Sequence, residues 1–194
     1  MKLAAIVLAA GSSTRFGGDK LSARFRGKRL LDHAIAAARA APVGEVLVVT
    51  RDSLVLGQWP GEPPVRRVPI ASAALSDSLK AGIAAAGEVD GAFVFLGDMP
   101  LVPPQVAALL ADRLGEHYAA QPRHGGRVGH PVLLSARACA DAAGLAGDEG
   151  AGRLLRQRGD VVFEEWPDET IHLDIDRAAE LARLEGDAES RTGP

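Results

Sequence analysis

Between Gly11 and Lys20 the chain reads Gly-Ser-Ser-Thr-Arg-Phe-Gly-Gly-Asp-Lys. Successive backbone N–H groups of Gly11, Ser12, Ser13 and Thr14 can form a concave donor array for phosphate oxygens. Gly11 also permits a turn and close approach of a ligand to the backbone. Arg15 adds a planar fork of donors, and Lys20 a mobile point charge. Together these groups suit a triphosphate and would stabilise the charge that develops as pyrophosphate leaves. For the glycine and serines alone, the plainer reading is a small-residue surface turn beside two solvated cations. The stretch has neither the GxxxxGK[ST] nor the GxGxxG spacing of the common nucleotide loops.

Two other places carry carboxylates. Asp98 lies in Gly97-Asp98-Met99-Pro100, directly after an apolar run. Mg²⁺ takes hard oxygen ligands and keeps several waters, so one or two carboxylates plus substrate phosphates suffice to hold it. Alternatively, Asp98 opens a turn before Pro100. In Asp174-Ile175-Asp176, alternation puts both carboxylates on one face of an extended segment, where they repel unless a cation or solvent relieves them. Asp176 is equally placed to cap a helix beginning at Arg177.

Three further groups have two readings each. Ser76 and Ser78 stand near the start of a helical pattern, where they either cap it or meet a polar ligand edge at the helix end. His130 precedes Pro131, which restricts it to an extended shape and suits a structural role. Asp148 and Glu149 match the positive end of a helix. No Ser-His-Asp arrangement or cysteine nucleophile is evident, and Cys139, among alanines on a predicted helix, reads as core.

The elements that must position these groups follow from the apolar pattern. Leu3–Ala9, Glu45–Thr50 and Ala92–Leu96 are nearly continuous apolar runs, as a parallel sheet covered on both faces requires. Helical spacing joins Leu30, Leu31, Ala34, Ile35 and Ala38, then Leu75, Leu79 and Ile83, then Val106, Leu109, Leu110 and Leu114. Alternation of strand and helix predicts an α/β fold. Gly11–Lys20 and Asp98 then both fall at the carboxyl ends of parallel strands, where such folds bind ligands. Trp59–Pro64 reads as a loop. In the second half His130–Leu134, Val161–Trp166 and Ile171–Leu173 are candidate strands, with helices near 147–158 and 177–184. From about Gly186 the chain is polar, so we expect one domain over residues 1–185 and a tail over 186–194.

Bulk properties narrow the class. The 194 residues suffice for one domain with a sizeable core. A net charge of −3 gives no basic footprint for nucleic acid. A single cysteine excludes an internal disulfide and a cysteine-rich metal site. The opening apolar run is too short to span a membrane, and the expected location is cytoplasmic.

Leu8-Ala9-Ala10-Gly11-Ser12, with Arg15-Phe16-Gly17, Asp19-Lys20-Leu21 and Gly97-Asp98-Met99-Pro100, resembles the signature of the MobA-like nucleotidyltransferases. Within them it is most similar to the molybdenum cofactor cytidylyltransferase (MocA) branch. The resemblance runs from Leu3 to about Leu181. It implies a single-domain, Rossmann-like, three-layer α/β fold with a mostly parallel central sheet, of the nucleotide-diphospho-sugar transferase type. It also implies transfer of a nucleoside monophosphate from an NTP to a phosphate, with Mg²⁺. By this resemblance Arg15, Lys20 and Asp98 are the catalytic residues. The nucleotide falls to Leu8, Ala9, Ala10, Gly11, Ser12, Arg15, Lys20, Ser76, Ser78 and Asp98. The metal falls to Asp98 with Asp176, and a molybdopterin-type acceptor to His130, Pro131 and Asp174. A molybdenum hydroxylase is the implied client.

Related guanylyltransferases usually read Leu-Ala-Gly-Gly where this chain has Leu8-Ala9-Ala10-Gly11, which favours CTP over GTP. Ala74 and Leu75 replace the glycine and methionine of the pattern beside the nucleotide. Arg177-Ala178 replaces Thr-Pro after the paired aspartates, and Gly152 stands where a better helix former is usual. Alternatives are GTP or another phosphorylated acceptor, an NAD(P)H-dependent oxidoreductase on the same fold (against which the missing GxGxxG counts), and a non-catalytic carrier of molybdopterin.

Overall fold

Leu3–Ala9 forms β1, every residue of it buried, and the rest of the sheet is laid down around it. The computed structural model describes residues 1–11, 16–156 and 158–191, side chains of 186–191 excepted. After β1 come a short hairpin of β2 (Arg24–Phe25) and β3 (Lys28–Arg29), helix α1 (Leu30–Arg39), β4 (Val46–Thr50) and β5 (Val65–Pro69). Helix α2 (Leu75–Ala86), β6 (Gly91–Leu96) and α3 (Gln105–Leu114) follow. The second half adds β7 (Ala119–His124), β8 (Arg127–Val128), β9 (Val132–Ser135), α4 (Ala136–Asp141), α5 (Ala151–Leu155), β10 (Val161–Glu165) and α6 (Ala178–Arg191).

The sheet runs β10-β7-β9-β6-β1-β4-β5, with β8 paired to β7. Strands β6, β1, β4 and β5 are mutually parallel, while β9 is antiparallel to both β6 and β7. Alternate residues of β1 enter opposite cores, as the period of a strand dictates. Ala5, Val7 and Ala9 meet Leu31 and Ile35 of α1 and Val106 and Leu110 of α3. Ala4, Ile6 and Leu8 share the other core with Leu79 of α2, Cys139 of α4 and Leu155 of α5. This is the single-domain, three-layer α/β arrangement expected, and Cys139 is core. Among the described residues no helix is long and apolar enough to cross a membrane.

Several expectations need correction. Ile171–Leu173 is not a strand: Glu169–Ile171 is a 3₁₀ turn, with the Asp168 carboxylate accepting from Thr170 N–H, and residues 173–176 run on irregularly. The reason is that this segment crosses the sheet end. The Ile171 carbonyl accepts from His130 N–H, and Ile175 N–H donates to the Asp98 carbonyl. Strand β9 starts at Val132, two residues later than expected, and the helix placed near 147–158 is confined to Ala151–Leu155. Helix α6 starts at Ala178, and the Glu180 carboxylate takes the backbone N–H groups of Asp176 and Arg177. Ser76 and Ser78 lie inside the first turns of α2, which follows Ala74, so neither caps it.

Candidate active site

Parallel pairing of β1 with β6 sets Leu8 against Leu96, so the two chains emerge side by side at their carboxyl ends. Gly97 N–H then donates to the Leu8 carbonyl at 2.9 Å. A side chain at Gly97 would stand 3.1 Å from that carbonyl, so glycine lets the exits of β1 and β6 approach closely. Asp98 is thereby delivered next to Ala9 and Ala10. From the other side comes a 3₁₀ turn, Lys20–Ser22, whose Lys20 and Leu21 are both buried.

Asp98 and Asp176 converge on one cation. The Lys20 ammonium donates to Asp98 Oδ2 at 2.8 Å and to Asp176 Oδ1 at 2.9 Å. Desolvation alone would depress the pKa of this amine, but hydrogen bonds and charge from the two carboxylates outweigh it and raise the pKa above the ordinary lysine value. Asp174 has the opposite environment. Loss of solvent and repulsion from Asp176 and Asp98 push its carboxyl up. Ile175 lies between the two aspartates and is fully buried, packed with Phe25 and Leu30.

A cleft of about 300 Å³ opens beside this cluster. Leu8 and Ala9 line it from β1, Ala10 and Gly11 from the segment that follows, and Ser78 and Leu75 from α2, and the lining also includes Lys20, Asp98 and Asp176. Eight of the residues assigned from the sequence to the nucleotide or the metal are thus brought to one place. Ser12 and Arg15 lie outside the described residues. Ser76 is not among the lining residues. It is fully buried, its N–H donates to the Gly147 carbonyl, and its hydroxyl has no partner among the described residues. Ser78 returns its hydroxyl to the Ala74 carbonyl.

The register of β9 against β6 carries His130 to the same end of the sheet, since Val132 pairs with Val94. Burial lowers the pKa of His130, against a backbone hydrogen bond with Val94 and the charge of Asp98, so its imidazole favours the neutral form. Its Nδ1 is buried and has no partner among the described residues. Gly129 packs so tightly on Ile171 that a side chain there would stand 2.5 Å from the Ile171 carbonyl. His130, Pro131 and Asp174 are not among the residues that line the cleft. Arg51, unremarked in the sequence, donates to the Gly11 carbonyl at 3.1 Å. The usable signal was its place: it follows an apolar run at a strand's carboxyl end, as Asp98 does.

Among the described residues no group of three or more His, Cys, Asp and Glu is arranged to hold a metal by itself. Two carboxylates that already share one cation are a hard-oxygen donor set of the kind Mg²⁺ takes when phosphates supply the remainder. The residues present fit such an ion.

Residues 5–162 match the MobA-like NTP transferase domain. The chain belongs to that family. A Bacillus subtilis relative, "Purine catabolism protein PucB", is 29% identical over 79% of this chain and 80% of its own length. A Thermococcus sibiricus relative, "Probable molybdenum cofactor guanylyltransferase", is 30% identical over 57% of this chain and 55% of its own. Among solved structures, a mycobacterial homologue of Rv0371c from strain JC1 superposes with a TM-score of 0.83 at 26% identity, covering 98% of this chain and 100% of that one. Rv0371c of Mycobacterium tuberculosis H37Rv in complex with manganese superposes with a TM-score of 0.77 at 24% identity, covering 96% and 99%. Membership in the MobA-like family makes this chain a nucleotidyltransferase-type enzyme.

Proposed function

We propose that this MobA-like chain moves CMP from CTP to the phosphate of a molybdopterin-type acceptor and releases pyrophosphate. The observation that carries the reading is the Lys20–Asp98–Asp176 cluster at the mouth of β1, where a cation and two carboxylates adjoin a cleft walled by backbone. A triphosphate in that cleft meets Lys20 and the Gly11 backbone, with Ser12 and Arg15 following directly in the chain. Asp98 and Asp176 are the residues that would hold Mg²⁺, which supplies neutralisation of phosphate charge when bound.

The acceptor's terminal phosphate oxygen forms a bond to the α-phosphorus, and the α-phosphorus–oxygen bond to the β-phosphate breaks, its electron pair leaving on pyrophosphate. A phosphate monoester dianion is already the nucleophile, so the site needs no strong base. Lys20 and Arg15 meet the departing charge. Positioning and electrostatics carry such a transfer. His130, Pro131 and Asp174 take the acceptor side. His130, held toward the neutral form by burial and with no partner for Nδ1 among the described residues, suits a polar pterin edge better than a second phosphate.

The donor assignment rests on Leu8-Ala9-Ala10-Gly11. The guanylyltransferase name of the Thermococcus relative supports GTP as the second reading. Incubation with Mg²⁺ and each NTP, with and without molybdenum cofactor, decides between them. Pyrophosphate is expected only with CTP and cofactor together. Release with GTP instead gives the second reading, and release with neither removes both. The reaction is assigned to the cytoplasm, serving a molybdenum hydroxylase.

A further inference from the structure

We propose that Lys20 is a resident counter-cation: it occupies the point that a divalent ion must take between Asp98 and Asp176, and a triphosphate draws it away. Nucleotide and metal then bind as a coupled pair rather than independently. This rests on the function proposed above, but its test does not.

One ammonium sits 2.8 Å from Asp98 Oδ2 and 2.9 Å from Asp176 Oδ1. A divalent ion shared by the same oxygens would lie about 2.1 Å from each. The two cations compete for the same oxygens of Asp98 and Asp176, and like charges drawn to one pair of carboxylates repel. Without a substrate, entry of the metal expels an ammonium whose side chain is only 10% exposed. That amine then has lost both carboxylates, and its desolvation is uncompensated.

A triphosphate removes the conflict. Lys20 and the Gly11 backbone line the same cleft, so the flexible lysine stem can exchange a carboxylate for a phosphate without leaving the site. Each cation then has its own anion. Linkage makes the effect reciprocal: whatever factor the nucleotide adds to metal affinity, the metal adds to nucleotide affinity. Removal of Lys20 should therefore improve metal binding to the nucleotide-free protein.

Mn²⁺ binding to the ligand-free protein, read by the loss of the free-ion electron paramagnetic resonance signal, provides the test. Lys20→Met should bind Mn²⁺ at least about tenfold more tightly than the wild type, the order of a modest allosteric coupling, while binding triphosphate more weakly. The gain should vanish in Lys20→Met/Asp98→Asn. Equal or weaker Mn²⁺ binding by Lys20→Met overturns the proposal. In case that variant fails to fold, the wild type gives a second reading through acylation of lysines followed by peptide mass spectrometry. Exposed Lys2 and Lys28 should react quickly and Lys20 slowly, and saturating Mn²⁺ should accelerate Lys20 alone. An unchanged Lys20 rate at saturation overturns the proposal equally. Neither measurement uses turnover, so failure of the nucleotidyltransferase reading would show separately, as absence of pyrophosphate release.

Discussion

Ile175 N–H donates to the Asp98 carbonyl at 3.1 Å, fastening the segment that carries Asp174 and Asp176 to the turn that carries Asp98. The bond holds because the Ile175 side chain is fully buried with Phe25 and Leu30 in a small cluster apart from the two main cores. Ile175 is a positioning residue for the carboxylates on either side of it. Ile175→Ala leaves a cavity in this cluster and should cost about 2–4 kcal/mol of stability. At temperatures where the variant is still folded, pyrophosphate release should fall and the Mg²⁺ concentration for half-maximal rate should rise. Denaturant titration together with a metal titration of the rate checks both. A loss of stability with an unchanged metal dependence would remove the positioning role.

Asp98 carries the heavier prediction. Asp98→Asn keeps the shape and removes one of the two charges that face Lys20. Outer partners of metal ligands alone are worth about 10–100-fold, so loss of a ligand itself should reduce Mg²⁺-dependent turnover by more than about 100-fold. Circular dichroism should remain that of the wild type, because Asp98 is partly exposed and packs no core. Turnover retained within tenfold would contradict its assignment to the metal.

How much of this was legible beforehand differs by element. β1, β6, α1 and α3 were legible because their apolar residues are local and periodic, and Asp98 followed from the strand-end rule. β5 and β7 were not. Val-Arg-Arg-Val-Pro and Ala-Ala-Gln-Pro-Arg-His are polar segments that become strands only because β4 and β9 offer them partners distant in sequence. Edge position explains the arginines of β5: Arg67 spends its guanidinium on the carbonyls of Arg51, Asp52 and Leu54. The pairing of Lys20 with Asp176 was illegible for the same reason. Nothing local signals a contact across most of the chain. Ile171–Leu173 misled because its apolar residues anchor a crossing segment rather than a ladder.

Tyr118 gives a pH dependence whose sign can be fixed. It is 1% exposed, its hydroxyl donates to Asp141 Oδ2 at 2.8 Å, and Arg158 stacks on its ring at 3.4 Å. Burial first, then the bond to Asp141 and its charge, push the phenol up to about 12 from about 10, while Arg158 and Arg137 pull the other way. A group whose pKa is higher when folded holds its proton more tightly in the native state. The associated stability is therefore complete below pH 10 and lost as pH rises from 10 to 12. Tyr118→Phe should be less stable by about 1 kcal/mol at pH 8, for the lost hydrogen bond. The gap between variant and wild type should narrow above pH 10. Urea unfolding of both proteins from pH 8 to 11.5 measures it, and a gap that stays constant over that range would remove Tyr118 as the cause.

Two helical glycines should respond to alanine with opposite signs. Intrinsic propensity favours alanine by up to about 1 kcal/mol at either. At Gly152 in α5 nothing among the described residues lies within 4 Å of an added Cβ, so propensity decides and Gly152→Ala should stabilise. At Gly82 in α2 an added Cβ would stand 2.4 Å from Ile6 Cγ2 and 3.1 Å from Val49 Cγ2. Ile6 and Val49 are both fully buried in adjacent strands of the sheet, so neither can yield without moving β1 or β4. Overpacking of this kind costs about 1–3 kcal/mol, which exceeds the propensity gain, and Gly82→Ala should destabilise. Because α2 also supplies Ser78 and Leu75 to the cleft and β1 supplies Leu8 and Ala9, pushing the two apart should weaken nucleotide binding as well. Gly152→Ala should leave it unchanged. A shift of 1 kcal/mol corresponds to about 2–4 °C in Tm for a domain of this size, within reach of differential scanning calorimetry. Equal shifts of one sign in both variants would mean that α2 does not rest on Ile6 as tightly as the packing requires.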